Sequence, residues 1–474
     1  MLKDISGINS AVKSVVWGVP MLLLIMGTGV WLTVRCGFFQ FTHFGHAMKM
    51  ILGRITREKP QSGKGAVSSF QAVTTALAAT MGTGNIAGVA GAIAIGGPGA
   101  LFWMWISALV GMVTKYAEVV LAVRYRKRNK KGDWVGGPMY YIRAGLGKEW
   151  RWLAVLFAVF GAVAAFGIGN MAQVNTIASS IAVLSRSLGF AGAELPIKAG
   201  VGVIIAALAG LVLIGGLKRI GTVTEKLIPA VSIAYVVCCL VIVATHIGSI
   251  GKVLQQIVES AFHTHAVAGG AVGITAGQAM RCGVSRGVFS NEAGMGSASI
   301  AHAAADTDSP VQQGLYGFFE VFVDTIVTCT LTGLAVLCSG VPVAYGTSAG
   351  AELTIGAFAT VFGGRLASIV VALGITLFAG TTILSWALYG IRCTEYLLGP
   401  KSILPYQSLY LLFTVLGAVL ELSFVWDISE TLNGLMAIPN LIAVFALSGV
   451  VSRMTRKYRL KIHNTGWDST TYSK

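Results

Sequence analysis

Long apolar stretches constrain the fold of this 474-residue chain more than any other feature. A helix that crosses the ~30 Å hydrocarbon core of a membrane needs about 20 predominantly apolar residues. Because only 11% of the residues are charged, against roughly 25% in soluble proteins, most of the exterior must face lipid. The sequence therefore predicts an all-α polytopic membrane protein. Its eleven candidate spans are residues 14–34, 66–96, 99–123, 152–185, 197–216, 226–247, 268–306, 311–340, 364–398, 403–422 and 428–451.

Positive charge is distributed unevenly among the connections between these spans. If residues 35–65 are cytoplasmic and the spans alternate in direction, 26 of the 35 Lys and Arg residues lie on the cytoplasmic side and six on the outer side. Cytoplasmic loops carry an excess of Lys and Arg, so this bias predicts an outer N-terminus and a cytoplasmic C-terminus. The predicted location is a plasma membrane, such as a bacterial inner membrane. The net charge of +16 then reflects orientation in the membrane and not nucleic-acid binding.

Two apolar segments are too long for one regular crossing and contain glycine-rich interruptions. The first interruption is Thr80–Asn85, and the second lies within Ser290–Ala301. The pieces MGTGNIA and MGSASIA resemble each other and would cross the membrane in opposite directions. Interrupted helices at matching positions of two inverted halves are typical of transporter binding sites, where free backbone amides meet a carboxylate and free carbonyls meet Na⁺. The alternative is a glycine-rich face for close helix packing.

Polar side chains inside other spans are further candidates. Asp324 lies near the middle of its span, where a charge is costly unless it is paired or liganded. It is predicted to bind a cation or the substrate ammonium, or to form an ion pair with Arg281 or Arg286. Thr381 and Thr382 offer hydroxyl oxygens that suit Na⁺, or they form interhelical hydrogen bonds.

Amide, aromatic and charged side chains on the remaining spans have two interpretations each. Gln173 and Gln278 are candidate substrate ligands or interhelical hydrogen-bond partners. The indole of Trp386 could form a wall of the substrate cavity. Lys115 and Glu118 are spaced (i, i+3) on one span and are predicted to form a structural pair.

Enzyme chemistry is not predicted, because the sequence contains no nucleophile triad, phosphate-binding loop or HExxH pattern. The seven cysteines lack metal-ligand spacing, and His263-Thr264-His265 has no third ligand nearby. Neither a transition metal nor an organic cofactor is therefore expected.

A longer motif resembles a known family. The stretch GGPGALFWMWISALVG at residues 96–111 is similar to the signature of the alanine/glycine:cation symporter family. Thr80–Asn85, GGPMY at 136–140 and SNEAG at 290–294 resemble the same family, and the resemblance covers residues from about 14 to 451. It implies a leucine-transporter-type fold with a five-plus-five inverted repeat and one extra N-terminal helix. The implied units are residues 1–65 (extra helix and interfacial segment), 66–247 (first repeat), 248–452 (second repeat) and 453–474 (cytoplasmic tail).

The residue pattern and the resemblance together predict a site around the first interruption. The candidate substrate-binding residues are Thr80, Gly82, Thr83, Gly84, Asn85, Gln173, Gln278 and Trp386. The candidate Na⁺-binding residues are Asn85, Asp324, Thr381 and Thr382. The position at which the sixth core helix unwinds stays open between residues 273–282, which include Gln278, and residues 290–297.

The predicted function is secondary active symport of a small neutral amino acid, such as alanine or glycine, with Na⁺ or H⁺. The alternative is a passive channel or facilitator, which would give no concentrative uptake. The expected partners are the amino acid, the coupling ion and the lipid bilayer. The sequence does not specify the choice among alanine, glycine, serine and D-isomers, the stoichiometry or the oligomeric state.

Overall fold

A computed structural model describes residues 2–55, 65–189, 193–263, 265–266, 273–346, 350–420 and 422–464. Some predicted features include residues outside these ranges. They are the end of the 1–65 unit at residues 56–64, the start of the 268–306 span at residues 268–272, residue 421 of the 403–422 span, Thr264 of the His-Thr-His loop, and the C-terminal tail from residue 465 onward.

The described part of the N-terminal half is almost entirely helical. Its α-helices are α1 (Leu2–Val16), α2 (Val19–Arg35), α3 (Phe39–Thr42), α4 (Phe44–Ile55), α5 (Ser69–Thr80), α6 (Val89–Gly96), α7 (Gly99–Arg124), α8 (Pro138–Tyr141), α9 (Arg151–Phe166), α10 (Ala172–Ser187), α11 (Glu194–Leu213) and α12 (Gly216–Thr245). π-Helical turns at Gly84–Gly88, Ile142–Leu146 and Gly167–Met171, and 3₁₀ turns at Lys148–Trp150 and Ile247–Ser249, connect or extend them. The strands β1 (Lys127–Arg128) and β2 (Trp134–Val135) form a short antiparallel hairpin after α7.

The C-terminal half repeats this helical character. Its α-helices are α13 (Ile250–Phe262), α14 (Ala276–Asn291), α15 (Ala298–His302), α16 (Pro310–Val321), α17 (Thr330–Cys338), α18 (Ala351–Phe362), α19 (Gly364–Leu398), α20 (Ile403–Val419), α21 (Leu422–Ala446) and α22 (Ser448–Asn464). A π-helical stretch at Phe322–Cys329 joins α16 to α17, and a 3₁₀ turn at Pro400–Ser402 precedes α20. The strands β3 (His265–Ala266) and β4 (Gly273–Ile274) pair antiparallel.

The membrane-crossing elements match the predicted spans closely. Among the described residues, nine helices are long and apolar enough to cross a membrane. A tenth span consists of α5 and the helical residues 84–96, whose axes are bent by 48° at the break between them. The described part of the remaining predicted span, 268–306, contains two short helices, α14 and α15, with residues 292–297 between them. The polytopic all-helical prediction is therefore confirmed, and two of the spans are interrupted.

Close packing through glycine places α14 against α7. A Cβ atom at Gly283 would lie 2.3 Å from the carbonyl oxygen of Ala100, and one at Gly287 would lie 2.3 Å from Ser107 Oγ. Membrane helices associate through such small residues because they lack a hydrophobic driving force in lipid. As a result, α14 is held in contact with α7, and its C-terminal end reaches the centre of the bundle.

The extra N-terminal segment is attached to the N-terminal half of α21. A Cβ atom at Gly434 would lie 2.1 Å from Val16 Cγ1, so only glycine allows this approach. Lys13 Nζ lies 2.6 Å from the carboxylate of Glu430, and Arg286 on α14 lies 2.6 Å from the same carboxylate. Glu430 therefore connects the extra helix, α21 and α14.

Candidate functional site

The first helix interruption begins where α5 ends at Thr80. Ser68 caps the start of α5 by accepting a hydrogen bond from the amide of Gln71 (3.0 Å). The Thr80 hydroxyl donates to the carbonyl of Leu77 (3.2 Å) in its own helix. Because glycine at 82 and 84 disfavours regular winding, the chain turns here and resumes as a π-helical turn at Gly84–Gly88.

Side chains satisfy the free amides of this interruption. The Gly82 N–H donates to Asn85 Oδ1 (3.0 Å), and the Thr83 N–H donates to Oε1 of Gln173 on α10 (3.3 Å). Gln173 in turn donates to the carbonyl of Ile168 (3.0 Å). The structure thus brings Gly82, Thr83, Asn85 and Gln173 together.

The two glycines of the interruption have different surroundings. A Cβ atom at Gly82 would lie 2.8 Å from Thr382 Oγ1 and 3.0 Å from Gln173 Oε1. At Gly84 the nearest atom to an added Cβ would be Ser290 Cα at 3.5 Å, an ordinary van der Waals contact. Gly82 therefore sits where three elements converge, whereas Gly84 has room for a methyl group.

The predicted threonine pair lies on α19, next to the C-terminal end of α5. Thr382 Oγ1 donates to the carbonyl of Ala78 (2.8 Å) and lies 3.1 Å from the carbonyl of Phe378 in its own helix. Thr381 Oγ1 donates to the carbonyl of Phe378 (2.8 Å), within its own helix. Both residues are buried. Thr382 and Ala78 thus present two oxygen atoms side by side at the interruption.

The second interruption lies at residues 292–297, which settles the alternative left open by the sequence. α14 ends at Asn291, and Glu292, Gly294 and Gly296 adopt positive φ angles of 56°, 95° and 77°. A non-glycine residue in this conformation costs of order 1–3 kcal/mol unless its surroundings hold it. Glu292 is held through both carboxylate oxygens, which accept hydrogen bonds from Trp386 Nε1 (2.8 Å) and Ser297 Oγ (2.5 Å).

Asp324 lies between the two interruptions and is fully buried. Its Oδ1 accepts a hydrogen bond from Asn85 Nδ2 (2.7 Å), and its Oδ2 accepts from Ser290 Oγ (3.0 Å) and Thr325 Oγ1 (2.7 Å). Within the described ranges, no Lys, Arg or His nitrogen lies within 4.0 Å of this carboxylate. Every donor that it contacts is neutral.

The predicted alternative for Asp324, an ion pair with Arg281 or Arg286, is wrong. Arg286 pairs with Glu430, and Arg281 is exposed. Both arginines lie on α14 before its last turn, whereas Asp324 meets the end of that helix at Ser290. The side chain that α14 brings to Asp324 is therefore the Ser290 hydroxyl and not an arginine guanidinium.

Trp386 is fully buried on α19 and packs against the backbone that joins α9 to α10. A Cβ atom at Gly169 would lie 2.1 Å from Trp386 Cβ. Gly169 belongs to the π-helical turn Gly167–Met171, whose widened backbone places its carbonyl within 3.0 Å of the Tyr410 hydroxyl. Three of the four π-helical stretches in the described chain, at 84–88, 167–171 and 322–329, therefore surround this one region, as is common at functional sites.

Gln278 does not join the cluster. It lies in the first turn of α14, is half-buried, and donates from Nε2 to the carbonyl of Ile95 (3.0 Å). Its backbone N–H donates to the Thr275 side chain (3.1 Å), which caps the helix. This geometry fits the interpretation of Gln278 as an interhelical hydrogen-bond partner. It does not fit the interpretation of Gln278 as a substrate ligand.

The predicted pair of Lys115 with Glu118 is also not formed. Lys115 Nζ lies 3.1 Å from Glu320 Oε1, and both side chains are fully buried. Glu118 Oε1 instead accepts hydrogen bonds from the Gly296 N–H (3.1 Å) and from Asn440 Nδ2 (2.6 Å). Glu118 therefore supports the backbone of the second interruption.

Two residues of the site, Ser290 and Thr325, were not predicted individually. Ser290 and Thr325 complete the shell of donors around Asp324, and Glu292 connects the second interruption to Trp386. Within the described part of the chain, the buried hydroxyls Thr83 Oγ1 and Ser385 Oγ have no hydrogen-bond partner. Ser290 is the first residue of the SNEAG motif at 290–294, which is a signal that the sequence does carry.

The model of the sodium:alanine symporter family matches residues 3–472. The chain belongs to this family. It is 44% identical over 459 residues to the sodium/alanine symporter AgcS of Methanococcus maripaludis, covering 96% of this chain and 97% of that protein. It is 46% identical over 469 residues to a transporter of Haemophilus influenzae, covering 98% and 99% of the two chains.

Membership of the sodium:alanine symporter family confirms that the chain is a multi-pass membrane transporter. The crystal structure of MhsT in complex with L-phenylalanine has a similar fold, with a TM-score of 0.56 over 85% of this chain and 99% of that chain. At 11% identity this similarity concerns the fold alone, and it confirms the leucine-transporter type. The division into two five-helix repeats at residues 66–247 and 248–452 stays a prediction.

Proposed function

We propose that the protein is a secondary active symporter that imports a small neutral amino acid, alanine or glycine, together with Na⁺. The observation that carries this proposal is the buried Asp324 carboxylate, which only neutral donors contact within the described chain. A buried carboxylate of this kind is expensive in a membrane unless a cation approaches it. Its position between two unwound helix segments is the place where transporters of this fold type bind their substrates.

The first interruption supports a role in binding the substrate carboxylate. The N–H groups of Gly82 and Thr83 are exchangeable donors, because side chains and not helix carbonyls satisfy them. A substrate carboxylate could replace Gln173 Oε1 at the Thr83 amide. The unpartnered hydroxyls of Thr83 and Ser385 would supply further donors. The closeness of Gly82 to Thr382 and Gln173 favours an amino acid with a small side chain.

Two groups of oxygen atoms support binding of the coupling ion. The first is Thr382 Oγ1 with the Ala78 carbonyl, and the second is the Asp324 carboxylate with Ser290 Oγ. Hydroxyl, carbonyl and carboxylate oxygens are hard ligands that suit Na⁺. Asn85 belongs to both the interruption and the Asp324 group, since its Oδ1 accepts from Gly82 and its Nδ2 donates to Asp324. Occupation of the cation site would therefore stabilise the backbone conformation that receives the substrate.

Proteoliposome uptake tests this function. With the purified protein in vesicles loaded with K⁺ buffer, radiolabelled alanine should accumulate above its external concentration when an inward Na⁺ gradient is imposed. Replacement of external Na⁺ by K⁺ should abolish accumulation, and a proton uncoupler should leave it unchanged. Equal uptake with and without the gradient would instead indicate a passive facilitator, and inhibition by the uncoupler alone would indicate H⁺ coupling.

Thr382→Ala should weaken the apparent Na⁺ affinity without preventing folding. Loss of one oxygen ligand is expected to raise the Na⁺ concentration for half-maximal uptake by about tenfold, which corresponds to ~1.4 kcal/mol. The matched control is Thr376→Ala, whose hydroxyl also donates to a carbonyl of α19, that of Ala372 (2.7 Å). Thr382→Ser should restore wild-type affinity. An unchanged Na⁺ dependence in Thr382→Ala would remove this residue from the cation site.

A further inference from the structure

A cleft of about 500 Å³ opens at the end of the bundle that carries the β1–β2 hairpin. Its walls come from the turn between α11 and α12, the C-terminal part of α19, the 3₁₀ turn with the first turns of α20, and the hairpin. This end is the predicted cytoplasmic side. None of the residues that line the cleft belongs to the helix interruptions or contacts Asp324, so the cleft is separate from the proposed transport site.

One side of the cleft is apolar and continues onto the exterior of the bundle. Leu217 and Ile391 line it, and Ile214 and Leu404 stand at its rim with 83% and 72% of their surfaces exposed. On the surface of a membrane protein, large aliphatic side chains with this exposure face acyl chains. The apolar part of the cleft therefore opens toward lipid.

The other side of the cleft carries positive charge. Lys131 on the hairpin and Lys401 beside α20 both line it and are exposed. Neither ammonium group has an ion-pair or hydrogen-bond partner within the described residues. The third cation, Arg392, is already neutralised by Glu395 (2.6 Å) and Asp133 (3.3 Å).

We propose that this cleft binds one anionic phospholipid of the cytoplasmic leaflet. The phosphate of the headgroup would lie between Lys131 and Lys401, and the acyl chains would leave over Ile214 and Leu404. Basic pockets between helices on the cytoplasmic side are suited to anionic headgroups, and each lysine near the surface contributes about a factor of five in affinity. A soluble phosphate compound would use the two lysines but would leave the apolar side of the cleft without an occupant.

The Asp133–Arg392–Glu395 network lies along the cleft. Asn129 Nδ2 extends it by donating to Glu395 Oε1 (2.9 Å), and the amide of Asp133 donates to Asn129 Oδ1 (2.9 Å). The hairpin between α7 and α8 is thereby attached to α19. A lipid bound between Lys131 and Lys401 would strengthen this attachment, so binding should also raise the thermal stability of the protein.

Native mass spectrometry of the full-length protein in detergent tests the proposal. With phosphatidylglycerol added, wild type should retain one lipid per chain, and phosphatidylcholine with the same acyl chains should be retained far less. The double variant Lys131→Gln/Lys401→Gln should bind phosphatidylglycerol roughly 25-fold more weakly. The matched control Lys252→Gln/Arg365→Gln removes two exposed basic residues from the opposite end of the bundle and should bind like wild type.

Thermal unfolding in the same detergent provides the second readout and separates the possible ligand sources. Phosphatidylglycerol should raise the melting temperature of wild type and of the control, but not of Lys131→Gln/Lys401→Gln. Glycerol 3-phosphate at the same concentration should have no effect. Equal phosphatidylglycerol binding by the cleft variant and the control would overturn the proposal. Equal retention of phosphatidylcholine, or equal stabilisation by glycerol 3-phosphate, would also overturn it.

Discussion

Asp324→Asn is expected to abolish Na⁺-driven alanine accumulation, lowering the initial rate at least about a hundredfold. A unit charge ~4 Å from a cation contributes about 4 kcal/mol at an effective dielectric constant of ~20, and the amide removes that contribution. The substitution keeps the size of the side chain and one oxygen that can accept from Asn85. Because it also removes a buried charge, it should preserve or raise the melting temperature.

The measurement is alanine uptake in proteoliposomes, normalised to inserted protein, together with thermal unfolding in detergent. The control is Asp308→Asn, which removes an exposed carboxylate before α16 and should leave uptake unchanged. If Asp324→Asn transports at the wild-type rate with wild-type Na⁺ dependence, the carboxylate does not bind the coupling ion. If it loses stability, the carboxylate has a structural role in place of the proposed one.

Gly82→Ala should reduce the kcat/KM for alanine by about a hundredfold. The added methyl group would lie 2.8 Å from Thr382 Oγ1 and 3.0 Å from Gln173 Oε1, so the interruption must move away from both partners. A displacement of about 1 Å at a reacting or binding centre has effects of this size. The measurement is the concentration dependence of Na⁺-driven uptake.

Gly84→Ala is the matched control, because it adds the same methyl group two residues away. Its Cβ would lie 3.5 Å from the nearest atom, so the neighbours need not move. Replacing glycine by alanine in a helical conformation otherwise favours folding, because it lowers the conformational entropy of the unfolded chain. Uptake by Gly84→Ala should stay within about twofold of wild type. Equal losses in the two variants would show that general helix flexibility, and not the contact with Thr382 and Gln173, matters at this position.

The sequence predicted the first interruption correctly because its cause is local. Two glycines and two polar residues within an otherwise apolar segment disfavour regular winding wherever that segment lies. The spans and their order were likewise predictable, since each is determined by its own hydropathy. The structure places the end of α5 at Thr80, the first residue of the predicted interruption.

The partners of Asp324 could not be predicted, because they depend on which helix faces meet. Asn85 is 239 positions away in the sequence, and Ser290 is 34 positions away. The sequence also allowed an ion pair of Asp324 with Arg286, but the Arg286 side chain pairs with Glu430 on α21. The contacts of Trp386 with Glu292 and Gly169 are long-range for the same reason.

The sequence left the break of the sixth core helix open between residues 273–282, which include Gln278, and residues 290–297. The structure has the break at 292–297, because α14 begins at Ala276 and continues to Asn291. The sequence Thr275-Ala276-Gly277-Gln278 has the spacing of a helix N-terminal capping signal, and Thr275 does cap this helix. A helix that begins at Ala276 has Gln278 in its first turn, and the interruption then follows its end at Asn291.

Alanine-dependent entry of ²²Na⁺ into proteoliposomes tests the central claim most directly, because it measures the coupling itself. With Na⁺ at equal concentration on both sides, an inward alanine gradient should drive ²²Na⁺ influx in wild type. The same gradient should drive no influx in Asp324→Asn and full influx in Asp308→Asn. Influx of alanine without accompanying ²²Na⁺ in wild type would contradict the account.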